Sequence, residues 1–440
     1  MTHLFARHVI ALVAILYGAA GMASASESWD EFRRNGTLAR QQGRYQEARR
    51  YLEAAIAAFP FDRADLRRAD LDDELASVYE MLGEGTVAER VYRDAVAIVE
   101  NHPDAKPGIR STILGDFGGF LANQGRFQEA QELLDAALAI SRKALGERDV
   151  RSATLKSSLG QLYLLEGKPA NAEPLLREAL EVQRAALPAS HLDRIVSESS
   201  LGYLYALDGR YEKAEPMLQQ VSEDARHLGE SHPTLAFTLI NLADLYRVEG
   251  KSARSEPLYK RALAIYEASL GPESLKVAET LLNMSVDSIA SKKFATAEGE
   301  IGRALAILRR TNGPDSPAAA VGEFRLAIAY TGESRYAEAE LLLQHALPIA
   351  EKTWPDGHFV VADCLYEMAE VERLQRHYAN AELWYQKAIA MYEKCGHSGA
   401  SGLAVALRQY AGMLRTGRTE EARALEKRAQ DVRRNVHAFQ

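Results

Sequence analysis

Residues 235–270 read LAFTLINLADLYRVEGKSARSEPLYKRALAIYEASL. Leu235, Leu239, Leu242, Leu245 and Tyr246 recur at steps of three and four, which places them on one face of a helix. That helix stops at Gly250, a residue that tolerates the left-handed conformation closing a helix. Leu258, Tyr259, Ala262, Leu263, Ile265 and Tyr266 then repeat the periodicity in a second helix. The stretch is therefore an antiparallel helical hairpin, with helices of about 15 residues or roughly 22 Å.

Working outward, the same pattern recurs ten times at intervals of 40 to 42 residues. The turn positions are Gly43, Gly83, Gly125, Gly167, Gly209, Gly250, Lys292, Ser334, Arg376 and Gly417. Five residues after each turn stands Ala or Ser, usually followed by Glu. A period of this size means a stacked array in which each unit packs on its neighbours, so one long solenoid is expected in place of the two or three domains that 440 residues would otherwise suggest.

Small residues mark where the helices of a hairpin must approach. Seven before the turn stand Gly36, Ala76, Gly118, Gly160, Gly202, Ala243, Ser285, Ala327 and Ala369, with Tyr410 departing in the tenth unit. A larger side chain at such a crossing overpacks it by ~1–3 kcal/mol. The Glu residues after the small residue, such as Glu173, Glu215, Glu256 and Glu298, fall in the first turn of the second helix, where a carboxylate favours the helix dipole. They read as structural and not as paired catalytic carboxylates. Lys292, Ser334 and Arg376 in place of Gly predict less regular turns in the last third. The charged segment Glu420 to Arg434 predicts a capping helix with a solvated outer face, the last unit starting near residue 403.

Here the chain resembles the tetratricopeptide repeat proteins. The run Ile265 to Pro272 and the loop Leu228-Gly229-Glu230-Ser231-His232-Pro233 look like the 42-residue subtype of kinesin light chains and many bacterial proteins. The resemblance implies an all-α, right-handed solenoid of about ten antiparallel helix-turn-helix (TPR-like) repeats, spanning residues 26–440 and serving as an interaction surface. Its groove is expected along the first helices. Nine residues before successive turns stand Ser158, Ser200, Asn241 and Asn283, and six before stand Gln161, Tyr203 and Asp244. In kinesin-light-chain-like repeats an Asn at the first of these rows resembles a ladder holding an extended backbone by its amide. A central stretch of neutral hydrogen-bonding groups is expected, with Asn241 and Asn283 as its principal binding residues.

Residues 1–25 read differently. Arg7 precedes an apolar run from Val9 to Met22, and Ala23-Ser24-Ala25 supplies a small-x-small cleavage pattern. The run is shorter than the ~20 residues of a membrane-spanning helix, so a cleaved export signal is expected and with it a periplasmic or secreted protein, with a bacterial envelope in view and no integral membrane span after cleavage. The formal charge of -8 argues against nucleic acid, which calls for clustered Lys and Arg. Two cysteines, Cys364 and Cys395, are too few for a disulfide-built fold, and their helical register sets them several residues apart, with Cys364 reading as a buried thiol.

Chemistry is sparse. His102, His191, His232, His358 and His397 all fall in the loops between units, where a polar residue before a helix caps it, and their spacing disfavours a shared metal site. Cys364 with His358 or His377 lacks a placed third group. No phosphate loop, His-Glu-x-x-His or Gly-x-Ser-x-Gly occurs. The expectation is a non-enzyme without cofactor or metal that binds a protein or peptide along its concave groove. The competing expectation is a regulatory or targeting subunit docking a separate envelope enzyme through its outer face or ends.

Overall fold

In the computed structural model, which describes residues 28–60, 62 and 64–438, twenty α-helices form ten consecutive hairpins. The pairs are Trp29–Gln41 with Tyr45–Ala57, Leu66–Met81 with Gly85–Glu100, Pro107–Asn123 with Phe127–Leu145, Val150–Leu165 with Pro169–Ala186, and Leu192–Leu207 with Tyr211–Arg226. They continue as Pro233–Val248 with Ser252–Leu270, Leu275–Ala290 with Phe294–Thr311, Pro317–Gly332 with Tyr336–Thr353, Phe359–Leu374 with Tyr378–Lys394, and Ala400–Leu414 with Thr419–Ala438. We call these repeats one to ten. The expected export signal lies outside the described residues. Among those described, no helix is long and apolar enough to cross a membrane.

The close approaches expected at the small residues are present. A Cβ added to Gly36, Gly118, Gly160 or Gly202 would meet Leu52, Leu134, Leu176 or Leu218 of the paired helix at 2.7 to 2.8 Å. The alanines opposite, from Ala55 to Ala388, are fully buried. The Glu residues of the second helices do more than favour a dipole. Five of them reach an Arg at the start of the following repeat's second helix, Glu89 with Arg126 at 2.5 Å, Glu173 with Arg210 at 2.9 Å, Glu215 with Arg254 at 3.0 Å, Glu298 with Arg335 at 3.2 Å and Glu382 with Arg418 at 2.7 Å, while Glu256 pairs with Lys260 of its own helix. The result is an ionic ladder along the outside, joining repeat to repeat.

First helices pack on the first helices of neighbouring repeats, which is how an array curves with those helices inside. The curvature is tight enough that the superhelix meets itself. His232 Nε2 lies 3.1 Å from the Gln41 carbonyl, Asn312 Nδ2 donates to Gln124 Oε1 at 3.2 Å, and Trp354 Nε1 donates to the Leu165 carbonyl at 3.4 Å. Tyr45 and Met81, from repeats one and two, pack against the apolar core of the second superhelical turn. Phe127 lies 6.4 Å from the ring of Trp354. A seam therefore joins the hairpin turn of each early repeat to the loop that opens the repeat five further on.

This seam corrects the expectation of irregular late turns. Lys292, Ser334 and Arg376 adopt φ of 56°, 64° and 66°, the same left-handed conformation as Gly43 at 72° and Gly167 at 74°. What differs is the neighbour. A Cβ on Gly43 would stand 2.5 Å from Pro233, on Gly125 3.1 Å from Pro317 and on Gly167 2.7 Å from His358, whereas Gly250 has nothing within 4 Å. Early turns exclude a side chain because the next superhelical turn lies against them. Later turns have no such neighbour, so only the modest backbone cost of a left-handed residue remains.

The final helix buries Ala422 and Ala429 against the core while Glu420 and Arg423 stay exposed. Tyr410 fills its small-residue position by stacking on Tyr385 at 5.4 Å and donating to Glu382 at 2.6 Å.

Candidate functional site

Two superhelical turns in contact along the seam place the first helices of both around a shared concave surface. Asp116, on the first helix of repeat three, is exposed to water, yet burial pushes its carboxyl up to about 6. Tyr203 behaves likewise: half-buried, its phenol is pushed up to about 12 chiefly by burial.

The central rows expected to bind lie on the first helices of repeats four to seven. Ser158 and Ser200 each turn their hydroxyls back onto the helix, donating to the carbonyls of Thr154 at 3.2 Å and Val196 at 2.9 Å. Gln161 donates to Ser157 at 3.4 Å, and Ser197 donates to Ser157 at 2.7 Å, so the polar row is continuous across repeats four and five. Asp244 is committed to its own repeat: its Oδ1 accepts from Tyr259 at 2.5 Å and from Arg247 at 3.2 and 3.3 Å. Asn283 Oδ1 accepts a long contact from Arg325 Nη1 at 3.5 Å. Asn241 is buried, and its carboxamide makes no side-chain hydrogen bond among the described residues. Of the expected residues, Asn241 alone keeps both amide functions uncommitted, while Asn283 keeps its amide donor.

Beyond the central stretch the row becomes charged. Arg325 follows Asn241 and Asn283 in the same row, nine residues before its turn, and it forms no ion pair among the described residues. Burial, then Arg247, pulls its guanidinium down to about 10. Beyond it, Glu367 is held up to about 7 and Asp363 to about 6, each chiefly by burial. In the first superhelical turn Asp73 and Asp116 approach each other, and burial raises both carboxyls. Row spacing alone could have flagged Arg325 and Glu367. Arg247 and Asp73, outside that row, are brought in by the helix face and by curvature.

Three of the loop histidines act as helix caps, while His102 Nδ1 lies 2.8 Å from the Ile98 carbonyl of the helix before it. His191, His232 and His358 accept at Nδ1 from the backbone N–H two residues on, at 3.2 to 3.3 Å. His377 Nδ1 pairs with Glu372 at 2.8 Å. Cys364 and Cys395 are not joined in a disulfide, and Cys364 is buried with its thiol pushed well up by burial.

The structure is similar to a Rap protein complexed with competence and sporulation factor, with a TM-score of 0.61 at 14% identity over 84% of this chain and 99% of that one. The apo form of RapI aligns at TM-score 0.50 and 11% identity, over 84% and 98%. A Podosopora anserina protein with nearly identical kinesin-light-chain TPR-like repeats is 22% identical over 57% of this chain and 98% of its own, at TM-score 0.31. No curated relative matches the chain. Two tetratricopeptide repeat family models match, one at residues 110–185, 193–268 and 276–352, the other at 33–105. With its repeat period, its helical hairpins and these matches in agreement, the chain belongs to the tetratricopeptide repeat family.

Proposed function

We propose that the chain is a non-catalytic, exported scaffold that holds an extended peptide or protein segment along its concave surface. The observation that carries this reading is the uncommitted carboxamide of Asn241, one repeat from Asn283, on a concave surface where neighbouring Asp244 is spent on its own repeat. A buried amide with both donor and acceptor free suits a backbone, which presents both in alternation. The likeness to a Rap protein complexed with competence and sporulation factor supports a bound partner on a fold of this kind. Export rests on the apolar run before Ala23-Ser24-Ala25. Cross-linked purification of the native chain, beside the Asn241→Ala/Asn283→Ala variant, tests the proposal by mass spectrometry. Partners lost only in the variant support it, and partners retained in both overturn the groove.

One observation favours a second reading. Leu341 and Leu383 are 67% and 59% exposed at the same register on the outer helices of repeats eight and nine, where repeats four to six carry Pro174, Pro216 and Pro257. An outward apolar step suits docking of a separate envelope enzyme, and partners released by Leu341→Glu/Leu383→Glu but not by the Asn variant would establish it.

A further inference from the structure

The seam has a fixed register. The hairpin turn of one repeat lies on the loop opening the repeat five further along: Gly43 on His232 and Pro233, Gly83 on Leu275, Gly125 on Pro317, Gly167 on His358. Among the described residues, ten repeats therefore leave two rims without a partner, the hairpin turns of repeats six to ten at one end and the opening loops of repeats one to five at the other. We propose that these rims are the two halves of one interface, and that copies of this chain stack head to tail with the superhelix and its concave surface running from one copy into the next.

Continuity of the register is the first argument. Carried on by five repeats, it sets Arg376 of one copy against Asp149 of the next, and Gly417 against His191. Arg376 is exposed on its turn and forms no ion pair among the described residues. Asp149 caps its helix by accepting from the Arg151 N–H at 2.8 Å and likewise forms no ion pair there. His191 caps its helix as His232 and His358 do, and both of those imidazoles pack on a turn glycine. Gly417, which the register brings to His191, has nothing within 4 Å.

Apolar character is the second. Val248 and Leu374 stand two residues before a free turn, the position from which Met81 of repeat two packs across the seam and at which Leu165, in the seam, stays 42% exposed. On the other rim, Val150 and Leu192 open their helices as Leu275 and Phe359 do in the seam.

Side chains at Lys292 and Arg376 keep this contact looser than the glycine-lined seam and place cations where carboxylates face them. An interface between opposite rims is heterologous and does not close, so it builds chains of copies. Its ionic part weakens with salt.

The test is mass photometry and sedimentation of the purified full chain over a range of concentration at low and high salt, with Arg376→Asp, Asp149→Arg and an equal mixture of the two. The expected result is stepwise assembly by whole chains, reduced about tenfold by either reversal alone. Mixing restores it, because alternating copies then meet with opposite charges at every rim. Circular dichroism checks that each variant is folded, and recovery on mixing shows it independently. A single chain mass at every concentration overturns the proposal. So does assembly that stops at two copies, or assembly indifferent to both reversals.

Discussion

Gly167 and Gly250 close equivalent hairpins with φ of 74° and 72°, so changing either to Ala imposes the same backbone strain, about 1–2 kcal/mol. The two variants also lose the same unfolded-state freedom. They differ in what the new methyl meets. At Gly250 there is open space, and at Gly167 the methyl stands 2.7 Å from His358 Cδ2 and 3.2 Å from Nε2. That imidazole cannot swing aside, since it stacks on Trp354 at 4.5 Å and its Nδ1 caps the helix beginning at Phe359. Overpacking of ~1–3 kcal/mol and loss of a cap worth ~1 kcal/mol give Gly167→Ala an excess destabilisation of about 2–4 kcal/mol over Gly250→Ala. Urea unfolding read by circular dichroism gives the difference. Amide exchange locates it, with faster exchange expected both in Val150–Leu165 and in Phe359–Leu374 for the Gly167 variant. Equal midpoints for the two variants, or exchange rising only beside the mutated turn, would refute the seam and return the chain to a purely nearest-neighbour array.

Two further outcomes test the concave surface. Glu367 has its carboxyl raised from 4.5 to about 7, mainly by burial, so folding takes up a proton and its contribution to stability is fully present below 4.5 and lost as pH rises through 7. Glu367→Gln is expected to stabilise the protein at pH 8, by up to about 3 kcal/mol, and to have little effect at pH 4 to 5; melting curves at the two pH values check this, and an equal effect at both would place Glu367 in open solvent. Arg325→Gln removes a desolvated cation without an ion pair among the described residues and is expected to raise the melting temperature, the equivalent of about 1 kcal/mol, whereas a fall would show that Arg325 is held by a partner in the fold.

The hairpins were legible because their determinants are local. Apolar residues at three and four residue steps, a left-handed turn and a small residue at each crossing fix a helix pair whatever surrounds it, and Gly160 against Leu176 behaves as its spacing required. Half of the candidate site was legible for the same reason: Asn241 and Asn283 follow from counting back from their turns. The state of those residues was not. Asp244 stood in the same face as Asn241, and only packing shows it spent on Tyr259 and Arg247.

The sequence by itself determined that this protein is a ten-unit helical array whose inner surface carries a ladder of polar side chains, because a repeat is specified by interactions within about 40 residues. Only the tertiary structure decided that the array closes on itself. Superhelical curvature is the sum of small rotations between repeats, and no single repeat encodes where that sum brings Gln41 against His232, 191 residues later. The glycines at 43, 83, 125 and 167 carried the trace of that closure, and as isolated turn residues they could not be told from the glycine at 250 that touches nothing.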